Sequence, residues 1–195
     1  GVSKMEASYM CNVTVLSEAL EIGGWVQPKG RYDQNEDNLC EHIVNESEKP
    51  GSYYAVHFPV MWKEWIEGKK DAYWPNEVHK VLENEVNTWL GCSHADTFIE
   101  SCAINDLIKQ LWYVRMPIPI SVKFGNLNHI VLLEGFETSM TEAELAKAIN
   151  NKTTIKIDKW YYDDPYGAFD WKSKTYPTNR GSGDNQVLTN AQFNE

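Results

Sequence analysis

The chain has 195 residues, enough for one domain with a substantial core and too few for a second full one. Its formal net charge is -10, from 28 Asp+Glu against 18 Lys+Arg. That balance argues against nucleic acid as the main partner and against simple adhesion to anionic membranes or wall polymers, since both need clustered cations and the runs Lys69-Lys70 and Lys172-Lys174 are too short to supply them.

No stretch of eighteen apolar residues occurs, so no membrane span is predicted. No signal peptide is visible, and a start at Gly1 rather than Met suits a processed product or a fragment. A first helix is predicted to begin near Cys11: Leu16, Ala19 and Leu20 recur at helical spacing, and Gly23-Gly24 stops the run. Asp33 to Glu46 reads as a second helix with Leu39, Ile43 and Val44 inward, and Pro50-Gly51 marks a turn. A third helix is expected from Asn76 to Leu90, with Pro75 suiting its first turn and Val78, Val81, Leu82 and Val86 on one side.

For the fourth helix, Thr97 and Glu100 fit a capping box ahead of Ala103, Ile104, Leu107, Ile108 and Leu111, with a stop before Pro117. Beyond it the pattern changes to strands. Ile118 to Phe124 is one, Gly125-Asn126 turns the chain, and Ile130 to Phe136 is a near-continuous apolar run of the kind found in mid-sheet. Thr141 and Glu144 cap a short helix through Ile149. Thr153 to Tyr162 alternates, placing Thr153, Ile155, Ile157 and Lys159 on one face, and Pro165-Tyr166-Gly167 ends it. From about residue 172 a polar tail containing Gly181-Ser182-Gly183-Asp184 reads as loop. No repeat or linker divides the chain. Helices lead and strands follow, which predicts a single α+β domain over residues 1–195, its N-terminal helical half packed on a mainly antiparallel sheet.

The chemistry-bearing residues fall in three blocks: Cys11 at a helix start, His129 ahead of an apolar strand, and the acid pair Asp163-Asp164 before a turn. A cysteine attacks as thiolate, which a helix N-terminus and a neighbouring imidazolium both favour. The amides of a first helical turn can hold a developing oxyanion. A carboxylate that accepts the second ring N–H orients the imidazole. Alternation puts Asp163 and Asp164 on opposite faces, so only one can point at His129, and spacing does not choose between them. Each block also has a plainer reading: a buried inert thiol, a half-buried strand histidine, and an Asp-Pro-Tyr-Gly turn.

Among the four cysteines, Cys11, Cys40, Cys92 and Cys102, irregular spacing favours free thiols, with Cys92 and Cys102 the pair to test. Cys92-Ser93-His94 lacks the second ligand pair of a structural zinc site, so neither metal nor cofactor is implied. Eight Trp and ten Tyr suit either a ring-rich core or a groove that stacks on sugars or extended peptide. For the second of these, the candidate rings are Trp160, Tyr162 and Tyr166.

Cys-Asn-Val-Thr before a helix, a His leading a strand that ends in Gly135, and Asp-Asp-Pro-Tyr-Gly together resemble the papain-like cysteine peptidases of the bacteriocin-leader-peptidase type. The likeness is to their soluble branch, found in bacterial surface proteins and phage lysins, and it spans about Tyr9 to Trp171. It implies Cys11 as nucleophile, His129 as general base and acid, and Asp164 as orienting carboxylate, because the family's acid directly precedes Pro. The implied substrate is peptide or the stem peptide of peptidoglycan, and the implied setting is extracellular, at the cell wall or in a phage or surface assembly. The family usually carries Gln or another polar oxyanion donor upstream of the cysteine. Here Ser3, Glu6, Ser8 and Tyr9 lie upstream and no Gln does. Two alternatives to hydrolysis are a non-catalytic binding or structural module on the same fold, and transfer of the acyl group to an amine.

Overall fold

A computed structural model describes residues 11–22, 39, 42–43, 45–46, 48–57, 84, 102–179 and 181–194. The fold is α+β: short helices and one four-stranded antiparallel sheet. The chain divides into two compact units, Gly1–Ile99 and Glu100–Glu195, at a point where the sequence shows no linker. No described helix is long and apolar enough to cross a membrane.

In the first unit, helix α1 runs Cys11–Ile22. Val13, Leu16 and Leu20, with Val15 and Ala19 beside them, are buried, which is the stripe that a period of 3.6 residues produces. The helix ends at Ile22, directly ahead of the Gly23-Gly24 pair. Leu39, His42, Ile43, Asn45 and Glu46 are helical, with Leu39 and Ile43 buried as their spacing requires. Val44 lies outside the described residues.

Gly51 takes a positive φ of 77° in the expected turn, and Ser52 N–H donates to the Lys49 carbonyl at 3.1 Å. A short helix α2, Tyr53–His57, follows it. The sequence reading missed this helix, although Ser52 announces it: its Oγ accepts the Ala55 N–H at 3.0 Å, an N-cap bond. Tyr54 is buried, takes a hydrogen bond from Asn84 Nδ2 at 3.0 Å and meets the His42 ring edge-on. Asn84 is helical, within the segment expected as the third helix; Val78, Val81, Leu82 and Val86 lie outside the described residues.

The second unit opens with α3, Ile104–Lys109. Its N-cap is Ala103, which makes no side-chain cap bond, and Cys102 is not helical. The Thr97-Glu100 box therefore does not cap this helix; both residues lie upstream of the cap and outside the described residues. The first-turn amides of Asp106 and Leu107 bond the Ala103 carbonyl. The helix widens into a π-turn over Gln110–Val114 and ends where Arg115 adopts φ 57°, two residues before Pro117 as expected.

Strands β1, Ile118–Phe124, and β2, Leu127–Glu137, form a hairpin. Its two-residue loop begins with Gly125 at φ 60°, the position where a II′ turn needs glycine. Helix α4, Glu142–Asn151, has the predicted capping box of Thr141 and Glu144 and buries Leu145, Ala148 and Ile149. Strands β3, Lys159–Asp163, and β4, Gln186–Thr189, complete a meander in the order β1-β2-β3-β4. The apolar run of β2 is thus interior, as its composition predicts.

Two expectations are corrected. The strand expected from Thr153 pairs only from Lys159, and Thr153 and Lys159 are exposed while Ile155 and Ile157 are buried. The inward positions then switch to Trp160 and Tyr162. The chain joins the ladder where Asp158 N–H meets the Glu137 carbonyl at 2.8 Å, and that junction rather than the upstream alternation sets the facing. The tail from 172 is also not all loop. It supplies β4 and a one-turn helix α5, Asn190–Phe193, capped by Thr189 and Gln192. The box is Thr189 with Gln192 three residues on, a pattern the sequence carries as Thr189-Asn190-Ala191-Gln192.

Candidate functional site

Strand period fixes the facing of His129. It is the third residue of β2, not its first, and it is buried on the face that carries Val131 and Leu133 into the core. Across the ladder, Leu132 pairs with Asp163 and Leu133 with Tyr162. One step further along, Asp164 lies level with Val131 and shares the face of His129, while Asp163 points to the other face with Leu132. The choice left open by spacing is thereby made by register.

His129 Nε2 and Asp164 Oδ1 lie 2.8 Å apart, and both side chains are almost completely buried. A carboxylate only accepts, so Nε2 carries the shared proton. Asp164 is held by more than the imidazole. Oδ1 also accepts the Tyr166 backbone N–H at 2.8 Å, and Oδ2 accepts the Tyr176 hydroxyl at 2.6 Å. Its backbone N–H donates to the Gly183 carbonyl at 3.0 Å, and its carbonyl accepts the Gly167 N–H at 2.9 Å, closing the Asp-Pro-Tyr-Gly turn. A Cβ on Gly183 would stand 1.7 Å from the Asp164 carbonyl oxygen, so the approach of these two backbones requires glycine there.

Rings enclose the pair. Tyr166 meets the imidazole edge-on at 5.0 Å, Tyr176 at 6.1 Å, and Phe124 lies at 6.3 Å. Phe169 stacks on Phe124 at 4.9 Å and closes the layer beneath. Burial raises the Tyr176 hydroxyl above its ordinary range, and the bond to Asp164 raises it further, so it remains a donor at neutral pH. Burial pushes the Tyr162 hydroxyl up to about 12; Trp171 opposes this and the Asp164 charge adds to it.

The other face of β3 has a different character. Asp163 Oδ1 accepts the Asn185 N–H at 2.5 Å. Beside it is Glu134, the bulge residue between Leu133 and Gly135. Burial, then the charge of Asp163 and a hydrogen bond with it, then Asp184, push the Glu134 carboxyl up to about 7.

The proposed stacking rings divide. Trp160 and Tyr162 are core residues and offer no surface to a ligand. Trp160 stacks on Phe193 at 4.4 Å and its Nε1 donates to Asn190 Oδ1 at 3.3 Å, so α5 covers it. Tyr162 packs edge-on to Phe124 at 5.8 Å. Burying rings of this size contributes about 2–3 kcal/mol each, which accounts for their presence without a ligand. Tyr166 is half-buried against His129.

Cys11 is the first residue of α1, in the first unit; it is half-buried and its thiol is free. Cys102 is exposed and free, with its thiol raised by partial burial and by Asp106. Ser3, Glu6, Ser8, Tyr9, Cys40, Cys92 and His94 lie outside the described residues. Among the described residues no group of three or more His, Cys, Asp or Glu side chains could hold a metal ion. Sequence reasoning missed Tyr176 and Gly183, which sit in a segment whose composition shows only polarity. Comparison with family models, with curated proteins and with solved structures returned no match to this chain.

Proposed function

We propose that this chain is a papain-like thiol hydrolase that cuts an amide bond in peptide or in the stem peptide of peptidoglycan. The observation that carries the reading is the buried His129–Asp164 pair, whose carboxylate accepts three hydrogen bonds and fixes the ring proton on Nε2. Proton transfer to and from the reacting groups then falls to Nδ1. Cys11 opens α1, and the first turn of that helix carries no acidic residue to offset the partial positive charge of its N-terminus.

In this mechanism His129 takes the proton of Cys11, and the thiolate attacks the amide carbonyl carbon. The C–N bond breaks as His129 returns the proton to the leaving amine. Water, deprotonated by His129, then cleaves the thioester and restores the thiol. Tyr166, half-buried on the imidazole, remains the ring for substrate contact. Trp160 and Tyr162, both core residues, take no part. The acidic chain would reach its substrate through a larger phage or surface assembly rather than by its own charge.

The test is release of free amine from purified peptidoglycan and from synthetic stem peptides. Cys11→Ala lowers release by about 10⁴-fold or more while leaving the melting temperature nearly unchanged. Undiminished release by that variant would end the proposal.

A further inference from the structure

Asp164 is a short side chain with two oxygens, and His129 uses only one of them. Alone, such a carboxylate can turn about its last bond and offer either oxygen, or an oxygen out of line, to the imidazole. Beside the Tyr166 amide on Oδ1, a group on the second oxygen resists that rotation. That group is the Tyr176 hydroxyl, at 2.6 Å from Oδ2, on the stretch just after the isolated bridge between Asp170 and Thr175.

We propose that Tyr176 is a positioning residue of the site, acting through Asp164 to hold the His129 ring in its working tautomer and orientation. The proposal rests on the hydrolase reading for its catalytic meaning, although the positioning itself is a property of the second unit. The two oxygens of Asp164 have different sets of donors. Oδ1 takes His129 and the Tyr166 amide, and Oδ2 takes the phenol. Two of these three bonds come from the backbone turn and the imidazole that the carboxylate must orient. Tyr176 is the side-chain donor independent of both. Its ring is itself locked, at 5.0 Å from Phe169 and 5.4 Å from Tyr166, so the hydroxyl is presented by a rigid lever. The bond is short and its acceptor is a buried carboxylate, the setting in which a charge-assisted hydrogen bond is strongest. The phenol stays protonated and therefore stays a donor.

The experiment uses the full chain and two readouts, the NMR resonance of the His129 Nε2 proton and the rate at which iodoacetamide alkylates Cys11. In the wild type the proton is held between two buried groups and should give a downfield signal protected from exchange with water. Tyr176→Phe removes one oxygen and keeps the ring. It should broaden or abolish that signal and slow alkylation of Cys11 by about tenfold, the kinetic equivalent of one net hydrogen bond. An unchanged resonance and an unchanged rate in a folded Tyr176→Phe would overturn the proposal, because a ring that merely fills space loses nothing in this variant. If the variant does not fold, 3-fluorotyrosine at position 176 keeps shape and changes donor strength. A shift of the Nε2 proton signal then supports the proposal, and no shift overturns it. Loss of the signal in Tyr176→Phe, with wild-type Cys11 no more reactive than a free peptide thiol, keeps Tyr176 as the positioning residue of His129 and counts against the hydrolase reading alone.

Discussion

Asp163 and Asp164 are neighbours in the chain and opposites in their surroundings. Asp164 is buried among donors: an imidazole, a backbone amide and a phenol. Asp163, one residue earlier and on the other face of β3, accepts the Asn185 amide, shares a hydrogen bond with Glu134 and has a second carboxylic acid, Asp184, nearby. Pleating alone separates them, since successive strand residues face opposite ways. Two aspartates adjacent in sequence therefore do different things: one anchors a histidine, and the other raises the proton affinity of Glu134. The contrast shows that an acid pair ahead of a turn is not a unit of function, and that the face each side chain takes must be known before it is given a role.

The comparison breaks most visibly if the two aspartates are removed in turn. Asp164→Ala removes the carboxylate that accepts from the His129 ring, the Tyr166 amide and the Tyr176 hydroxyl. On the proposed function it should lower amide hydrolysis by about 10³-fold or more, and stability by about 3–5 kcal/mol. Asp163→Ala should leave that activity within about threefold and stability within about 1 kcal/mol, because the lost bonds to the Asn185 amide and to Glu134 are offset by relief of the charge beside Glu134. Equal losses of activity in the two variants, measured as initial rates beside chemical denaturation, would erase the distinction.

A smaller effect sharpens the same contrast from the Asp163 side. The Glu134 carboxyl sits at about 7 in the folded chain against an ordinary 4.5, so the folded state binds the extra proton between those values. Stability contributed by the protonated group is therefore present at low pH and falls as pH rises through that window. Glu134→Gln removes the dependence. Glu134 is half-buried, so screening limits the gain to about 1 kcal/mol, or about 2–4 °C in melting temperature near pH 8, with little change near pH 5. A variant that melts with the wild-type pH dependence would show that Glu134 does not hold this proton.

Much of the second unit was legible in the sequence because its signals are local. The Thr141-Glu144 box, the Gly125 turn and the apolar run of β2 each act over a few residues, and each appears where the sequence puts it. The facing of Trp160 and Tyr162 was not legible, because it depends on where residues 153–158 meet β2 and on a bulge at Glu134. In the sequence the tail reads as loop, because its strand is four residues long and gains its place by pairing with β3 and by laying Phe193 on Trp160. The candidate site divides in the same way. His129 and the acid pair were found from their settings in strand and turn. Tyr176 was not, since nothing near it in sequence tells that its hydroxyl reaches a carboxylate twelve residues back.

The proposed hydrolase requires the oriented imidazole of His129 to activate the thiol of Cys11. The most direct measurement is the rate of Cys11 alkylation by iodoacetamide near neutral pH, in the wild type and in His129→Ala. Under that proposal the wild-type rate exceeds that of an unstructured cysteine peptide by about tenfold or more, and the excess is lost in the variant. Equal rates in the two proteins, both matching the free peptide, would contradict it.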